Sequence, residues 1–146
     1  MMIRSVLATA AFVSAAALML PQAAAAQDTA AEAYTEIEEA FGFVPGFMKV
    51  YPEHGIAGAW KLTRDLELSE DTALSPKVKS LINVAVGAQI PCRYCVYVDS
   101  LTAKSHGATD QEIAEAVAQA GLTRHWSAIL NGMQIDFDEF KAEFGG

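Results

Sequence analysis

Between Ser75 and Cys95 the chain reads SPKVKSLINVAVGAQIPCRYC, and this stretch limits the possible folds more than any other. Ser75 is a good N-cap. Pro76 suits the first helical position, where its fixed φ is preorganised and its missing N–H would have no partner. The helix it opens should run to about Ala88. Val78, Leu81, Ile82, Val84, Ala85 and Val86 cover most of its circumference, so it is expected to be the central buried helix. Ser80, Asn83 and Gly87 form the one small or polar stripe. Pro91 opens the next helix, about Cys92 to His106, and Gly107 is placed to end it.

The rest of the chain has the same helical period, and no strand is expected. Asp28 to Phe41 spaces Tyr34, Ile37 and Phe41 along one face. GFVPGFMKVYP at 42–52 reads as a connector with at most one helical turn. Glu53 to Leu68 should be helical, with Ile56, Trp60 and Leu66 as candidate core, and Ser69 to Leu74 a loop. Thr109-Asp110-Gln111-Glu112 has capping-box form. The helix after it, with Ile113, Ala116, Val117 and Ala120 inward, should end near Gly121. A further helix covers Leu122 to Asn131 until Gly132 breaks it, and Phe137 to Phe144 forms a short last one. The expectation is an all-α domain of about six helices. The aromatic cluster of Phe41, Phe43, Phe47, Met48, Tyr51 and Trp60 reads as core or subunit interface rather than a substrate funnel. The Glu36-Glu38-Glu39 run reads as a solvated face.

The first 26 residues read differently. Arg4 precedes an apolar run from Val6 to Leu20, Pro21 breaks it, and Ala24-Ala25-Ala26 follows: a secretory signal peptide cleaved after Ala26, leaving a 27–146 domain. The run is too short and too interrupted by Ser5, Thr9 and Ser14 to span a bilayer. The mature protein is therefore expected in a periplasm or outside the cell, with no membrane attachment. The chain carries 10 Lys+Arg against 18 Asp+Glu, a net charge of −8, and loss of Arg4 takes it to −9. Such a balance argues against nucleic acid, whose phosphates demand a basic face, and against an anionic membrane surface. Charged residues at 19% and seven Phe argue against disorder.

Chemistry concentrates at Cys92-Arg93-Tyr94-Cys95. Cysteines at i and i+3 share a helix face, and the helix N-terminus favours a thiolate through its free amides and its dipole. In an oxidising compartment such a pair rests as a disulfide. Asp99 is one turn past Cys95. It can accept and return a proton, or, if ionised, raise the thiol pKa by repulsion; both readings stay open here. His106 shares the face but lies about 16 Å along the axis, too far to serve the thiols. Ser80 and Asn83 are packing residues or hydrogen-bonding partners of a bound peroxide or water. Tyr94 is weaker polar support. His125 either lines the thiol pocket or is satisfied by backbone. The competing readings of the motif are a structural staple, which closes too small a loop to stabilise much, and half a zinc site. The second would need another ligand pair, and His54, His106 and His125 are scattered. No cofactor and no metal are expected.

Ser75 to Gly121, with the motif above and AKSHGATDQEIAEAVAQAG after it, resembles the AhpD-like (alkylhydroperoxidase) branch of the carboxymuconolactone decarboxylase family. FGFVPGFMKVYP at 41–52 is similar to the lead-in of many members. The resemblance implies an all-α domain assembling as a homo-oligomer, a trimer or hexamer. It also implies thiol peroxidase chemistry, with Cys95 attacking the peroxide and Cys92 resolving it. Redox-active members carry Glu twelve residues before the first Cys and His four after the second. Here Ser80 and Asp99 hold those places, which makes Asp99 the candidate proton shuttle. Decarboxylase members generally lack the CxxC, which counts against lactone decarboxylation. The expected partners are a hydroperoxide and a dithiol reductant whose identity the sequence does not give, since the family's reductants are cytosolic. Two other functions stay open: thiol–disulfide exchange on protein partners, and a non-catalytic binding or assembly module held by a structural disulfide.

Overall fold

Thr29 opens the first helix with a reciprocal cap: its hydroxyl accepts from the Glu32 amide at 3.2 Å, while the Glu32 carboxylate accepts from the Thr29 amide at 2.7 Å. The computed structural model describes residues 29–146, so the signal peptide assigned to 1–26 lies outside the described residues. Helix α1 spans Ala30–Phe41 and ends at Gly42, whose φ of 76° a side chain would disfavour. The connector contains one short helix, α2, Gly46–Lys49. Helix α3 covers Glu53–Leu62, and the chain then widens into a π-helical segment, Thr63–Leu68.

Ala33 and Ile37 of α1 pack against Ile56 and Trp60 of α3, with Tyr34, Val44, Met48 and Ala57 around them. The Trp60 indole N–H donates to the Glu36 carboxylate at 2.6 Å, and the Arg64 guanidinium binds the same oxygen. Those two bonds hold the Glu36 carboxyl below the usual range. Glu38 and Glu39 are exposed, as the solvated-face reading expects, while Glu36 on the same surface also caps the edge of this small core through Trp60 and Arg64. Leu66, expected inside, is largely exposed, because the π-helical widening breaks the register that would have stacked it under Ile56 and Trp60. Of the aromatic cluster only Trp60 is core; Phe41, Phe43, Phe47 and Tyr51 are exposed.

The second half is built on α4, Pro76–Gln89, opened by Ser75 and Pro76 as the spacing predicts. Its neighbours are α5, Arg93–Ser105, joined by a short turn that makes the pair antiparallel, and α6, Asp110–Gly132. The face of α4 that packs deepest is the small one: Ser80, Val84 and Gly87 are buried, with Lys79 beside them. Val78, Ile82 and Val86, expected inside, are exposed in the single chain. Small residues let two helix backbones approach closely, so α5 seats on that stripe.

Helix α6 is one continuous helix through Gly121, and Gly132 is its last residue. A lone glycine costs a helix only about 1 kcal/mol, too little to end it against the capping box at Thr109 and the packing on α4. The outer half of α6 and the last helix, α7 (Phe137–Glu143), are almost wholly exposed. Among the described residues there are seven α-helices and no strand, and no helix is long and apolar enough to cross a membrane.

Candidate active site

Cys92 is the N-cap of α5 and Cys95 its third helical residue, and the two form a disulfide with Cα atoms 5.3 Å apart. The turn that delivers them is tied to α4 by the Cys92 amide, which donates to the Gly87 carbonyl at 2.8 Å. The two sulfurs differ in surroundings. The Cys95 amide donates to the Cys92 sulfur at 3.2 Å, so the free amide of the helix end serves Cys92 rather than Cys95. Both cysteines are half-buried, and each opens on its own side. Cys95 lies in an apolar cleft of about 770 Å³ with Phe47, Tyr94, Tyr97 and Val98. Cys92 lies in a groove of about 620 Å³ with Val96, Ser100 and Lys104. Phe47 therefore does border the thiol cleft. Arg93 borders both; it lies over the Tyr94 ring at 4.9 Å and donates to its hydroxyl.

Asp99 follows Cys95 by one turn on the same face of α5. It is half-buried, and loss of water raises its carboxyl above the ordinary value, with the charge of Glu67 adding to the rise. Both causes disfavour the charged form, which makes Asp99 a stronger proton acceptor than an ordinary carboxylate. Asn83 of α4 donates to the Glu67 carboxylate at 2.9 Å. The Ser80 side chain is 1% exposed and its hydroxyl donates to the Pro76 carbonyl at 2.9 Å, one turn back in its own helix. Tyr94 is exposed at the rim of the cleft. His125 is also exposed, on the outer half of α6, stacked edge-on against Trp126 and apart from both grooves at the disulfide.

The structure thus gathers Cys92, Cys95, Asp99 and Tyr94 at one end of the α4–α5 pair and leaves His125 elsewhere. Glu67, which sequence spacing does not single out, joins them. Its one signal in the sequence is an acidic residue in a segment expected to be helical directly before the polar loop, and nothing local says that it reaches Asn83 of α4. Among the described residues no group of three or more His, Cys, Asp and Glu is clustered to hold a metal ion.

The carboxymuconolactone decarboxylase family model matches residues 55–136. Among solved structures, the crystal structure of the alkylhydroperoxidase AhpD core from Rhodospirillum rubrum is similar in fold, with a TM-score of 0.66 and 22% identity over 77% of this chain and 85% of that one. No curated protein matches the sequence.

Proposed function

We propose, from the premise that the chain belongs to the carboxymuconolactone decarboxylase family, that it is a thiol-dependent peroxidase working through Cys92 and Cys95. The observation that carries this reading is the Cys92–Cys95 disulfide at the start of α5, open to a cleft, with a carboxyl of raised proton affinity one turn past Cys95. The family also includes decarboxylases, and a dithiol pair set on a helix end suits redox chemistry better than proton abstraction from a lactone.

In the reduced protein Asp99 takes the Cys95 proton. The thiolate attacks the outer oxygen of a hydroperoxide, the S–O bond forms and the O–O bond breaks. The departing alkoxide leaves as alcohol with the proton from Asp99, and Cys95 is left as a sulfenic acid. The Cys92 thiol then displaces that oxygen, which departs with the thiol proton as water, and the disulfide closes. An external dithiol returns both cysteines to thiols by exchange and is itself oxidised to a disulfide. Cys92, with an amide on its sulfur, is the better-stabilised thiolate of the two and hence the better leaving group in that exchange.

That same bond favours a second reading, thiol–disulfide exchange with protein partners, in which Cys92 is the attacking sulfur. Reduced protein mixed with an organic hydroperoxide separates the two. As a peroxidase it loses thiols in step with peroxide, and Cys95→Ser abolishes the loss. Equal peroxide consumption by Cys95→Ser rejects the peroxidase.

We further propose export with cleavage after Ala26 to a periplasm or the exterior, and assembly as a trimer or hexamer. Leu122, Trp126, Met133, Phe137 and Phe144 leave an apolar face along outer α6 and α7 that a single chain does not cover. Light scattering on the mature protein tests the assembly, and an elution at monomer mass rejects it.

A further inference from the structure

The cleft beside Cys95 is walled by Phe47 of α2 and by Tyr94, Tyr97 and Val98 of α5, and the single charged residue on it is Arg93. Phe47, Tyr94 and Tyr97 are 67–70% exposed in the single chain, so three aromatic side chains stand open to water next to the sulfur. Arg93 is held against this wall. Its guanidinium carbon lies 4.9 Å from the centre of the Tyr94 ring, and one Nη donates to the Tyr94 hydroxyl at 3.0 Å. Tyr94 borders the Cys95 cleft and not the Cys92 groove, so that bond turns the charge toward the Cys95 side. It uses one of the five N–H groups that a guanidinium offers. Lys61, Arg64, Lys77, Lys104 and Lys141 each pair with a carboxylate. Arg93 has no such partner among the described residues, in a chain with 18 acids against 10 bases.

We propose that the Cys95 cleft takes an organic hydroperoxide with an apolar, ring-sized body and a carboxylate, and that Arg93 is the residue that selects the carboxylate. The fate of that substrate rests on the peroxidase reading; the binding of an apolar carboxylate does not. An apolar body covers the aromatic walls and removes their surface from water. The free edge of the guanidinium matches a carboxylate, with which it forms two parallel N–H···O bonds. The apolar surroundings make that pair stronger than one in open water. The net negative charge of the chain repels anions at long range, so the preference for an acid is local to Arg93. Arg93 and Cys95 border one cleft, so a molecule of benzoate size meets the guanidinium with one end and brings its peroxide to the sulfur with the other.

The test compares cumene hydroperoxide with its para-carboxylate as substrates of the reduced protein. The kcat/KM for the carboxylate is expected to exceed that for the neutral compound by about three- to tenfold, the scale of a partly exposed ion pair, and the two should converge as salt rises. Arg93→Gln should bring the ratio to one or below. Arg93→Lys keeps the charge without the fork and should retain part of the preference. Any change that the loss of Arg93 makes in thiol reactivity acts on both substrates and cancels in the ratio. A second arm needs no peroxide: 4-isopropylbenzoate titrated into the oxidised protein should shift the Tyr94 and Tyr97 ring signals in NMR, with an affinity that falls by a similar factor in Arg93→Gln. A ratio of one in the wild type, or benzoate binding that is absent or that Arg93→Gln leaves unchanged, overturns the proposal. Benzoate binding that depends on Arg93, in a protein that consumes neither hydroperoxide, keeps the carboxylate site and removes the peroxidase.

Discussion

Gly87 of α4 faces Cys95 of α5 so closely that an added Cβ would sit 3.1 Å from the Cys95 Cβ and 3.4 Å from the Val96 amide nitrogen. A hydrogen at this position is what lets the disulfide end of α5 lie on α4, and the Gly87 carbonyl then receives the Cys92 amide. The same residue thus provides both the space and the anchor for the motif.

Gly87→Ala sets two effects against each other. Alanine favours the helix by about 1 kcal/mol. Overpacking against backbone and a cross-linked side chain costs about 1–3 kcal/mol. The net expectation is a loss of stability of up to about 2 kcal/mol, read as a lower urea midpoint, with faster reduction of the disulfide by a small dithiol. A variant as stable as its parent would mean that α5 can back away freely.

Asp99→Asn should act in opposite directions on stability and activity. A carboxyl whose folded pKa is raised stabilises the fold fully below its unfolded pKa, and that contribution is lost as pH rises through the folded value. Burial is the main cause of the rise here and the Glu67 charge the lesser one. Asparagine carries no charge at any pH, so the variant should be more stable than its parent at neutral pH, with the gain vanishing in acid. Peroxide turnover should fall by about 10²–10⁴, the usual worth of a positioned acid–base group. Denaturation midpoints at acid and neutral pH, beside turnover, check both halves.

Lys79→Met keeps the length and apolar stem of a buried side chain but removes its donors to the Ser69 and Glu67 carbonyls. Leaving such carbonyls unmatched costs about 1–3 kcal/mol. The loss should appear as reduced thermal stability and as faster amide exchange across the π-helical segment, with α1 unaffected.

Glu112→Gln should flatten the acid limb of the stability profile. The Lys77 ammonium at 2.6 Å and the Thr109 amide at 2.8 Å hold the Glu112 carboxyl down at about 2, against an ordinary 4.5. A depressed carboxyl contributes above its ordinary value and loses that contribution as pH falls toward the folded one. Between those two values the parent should lose stability more steeply than the variant, as urea titrations at successive pH values would show.

The parts of the fold that could be read in the sequence are those set by local chemistry. Ser75-Pro76 and the Thr109–Glu112 box start their helices where the spacing puts them, because caps act within one turn. The cysteine pair is equally local, and the disulfide forms between the two residues that its spacing brings together. The remainder needed tertiary information. Gly121 stays inside α6 because packing on α4 outweighs its propensity. Leu66 turns outward because a π-helical turn shifts its phase, which no 3.6-residue pattern contains. Val78, Ile82 and Val86 were expected inside because an apolar surface says nothing of which side its neighbours take, and the small stripe won. Glu67 was invisible for the same reason: its partners are 16 residues away at Asn83 and further still at Asp99.

The wide turn after Leu62 also makes chain length a variable of the chemistry. A helix advances about 100° per residue, so deleting one residue from 63–68 would restore an ordinary α-helix and swing the acid away from its amide clasp. When sequences of this kind are aligned, a gap in that short window would mark an acid no longer clasped to α4 even where every cysteine and aspartate still lines up.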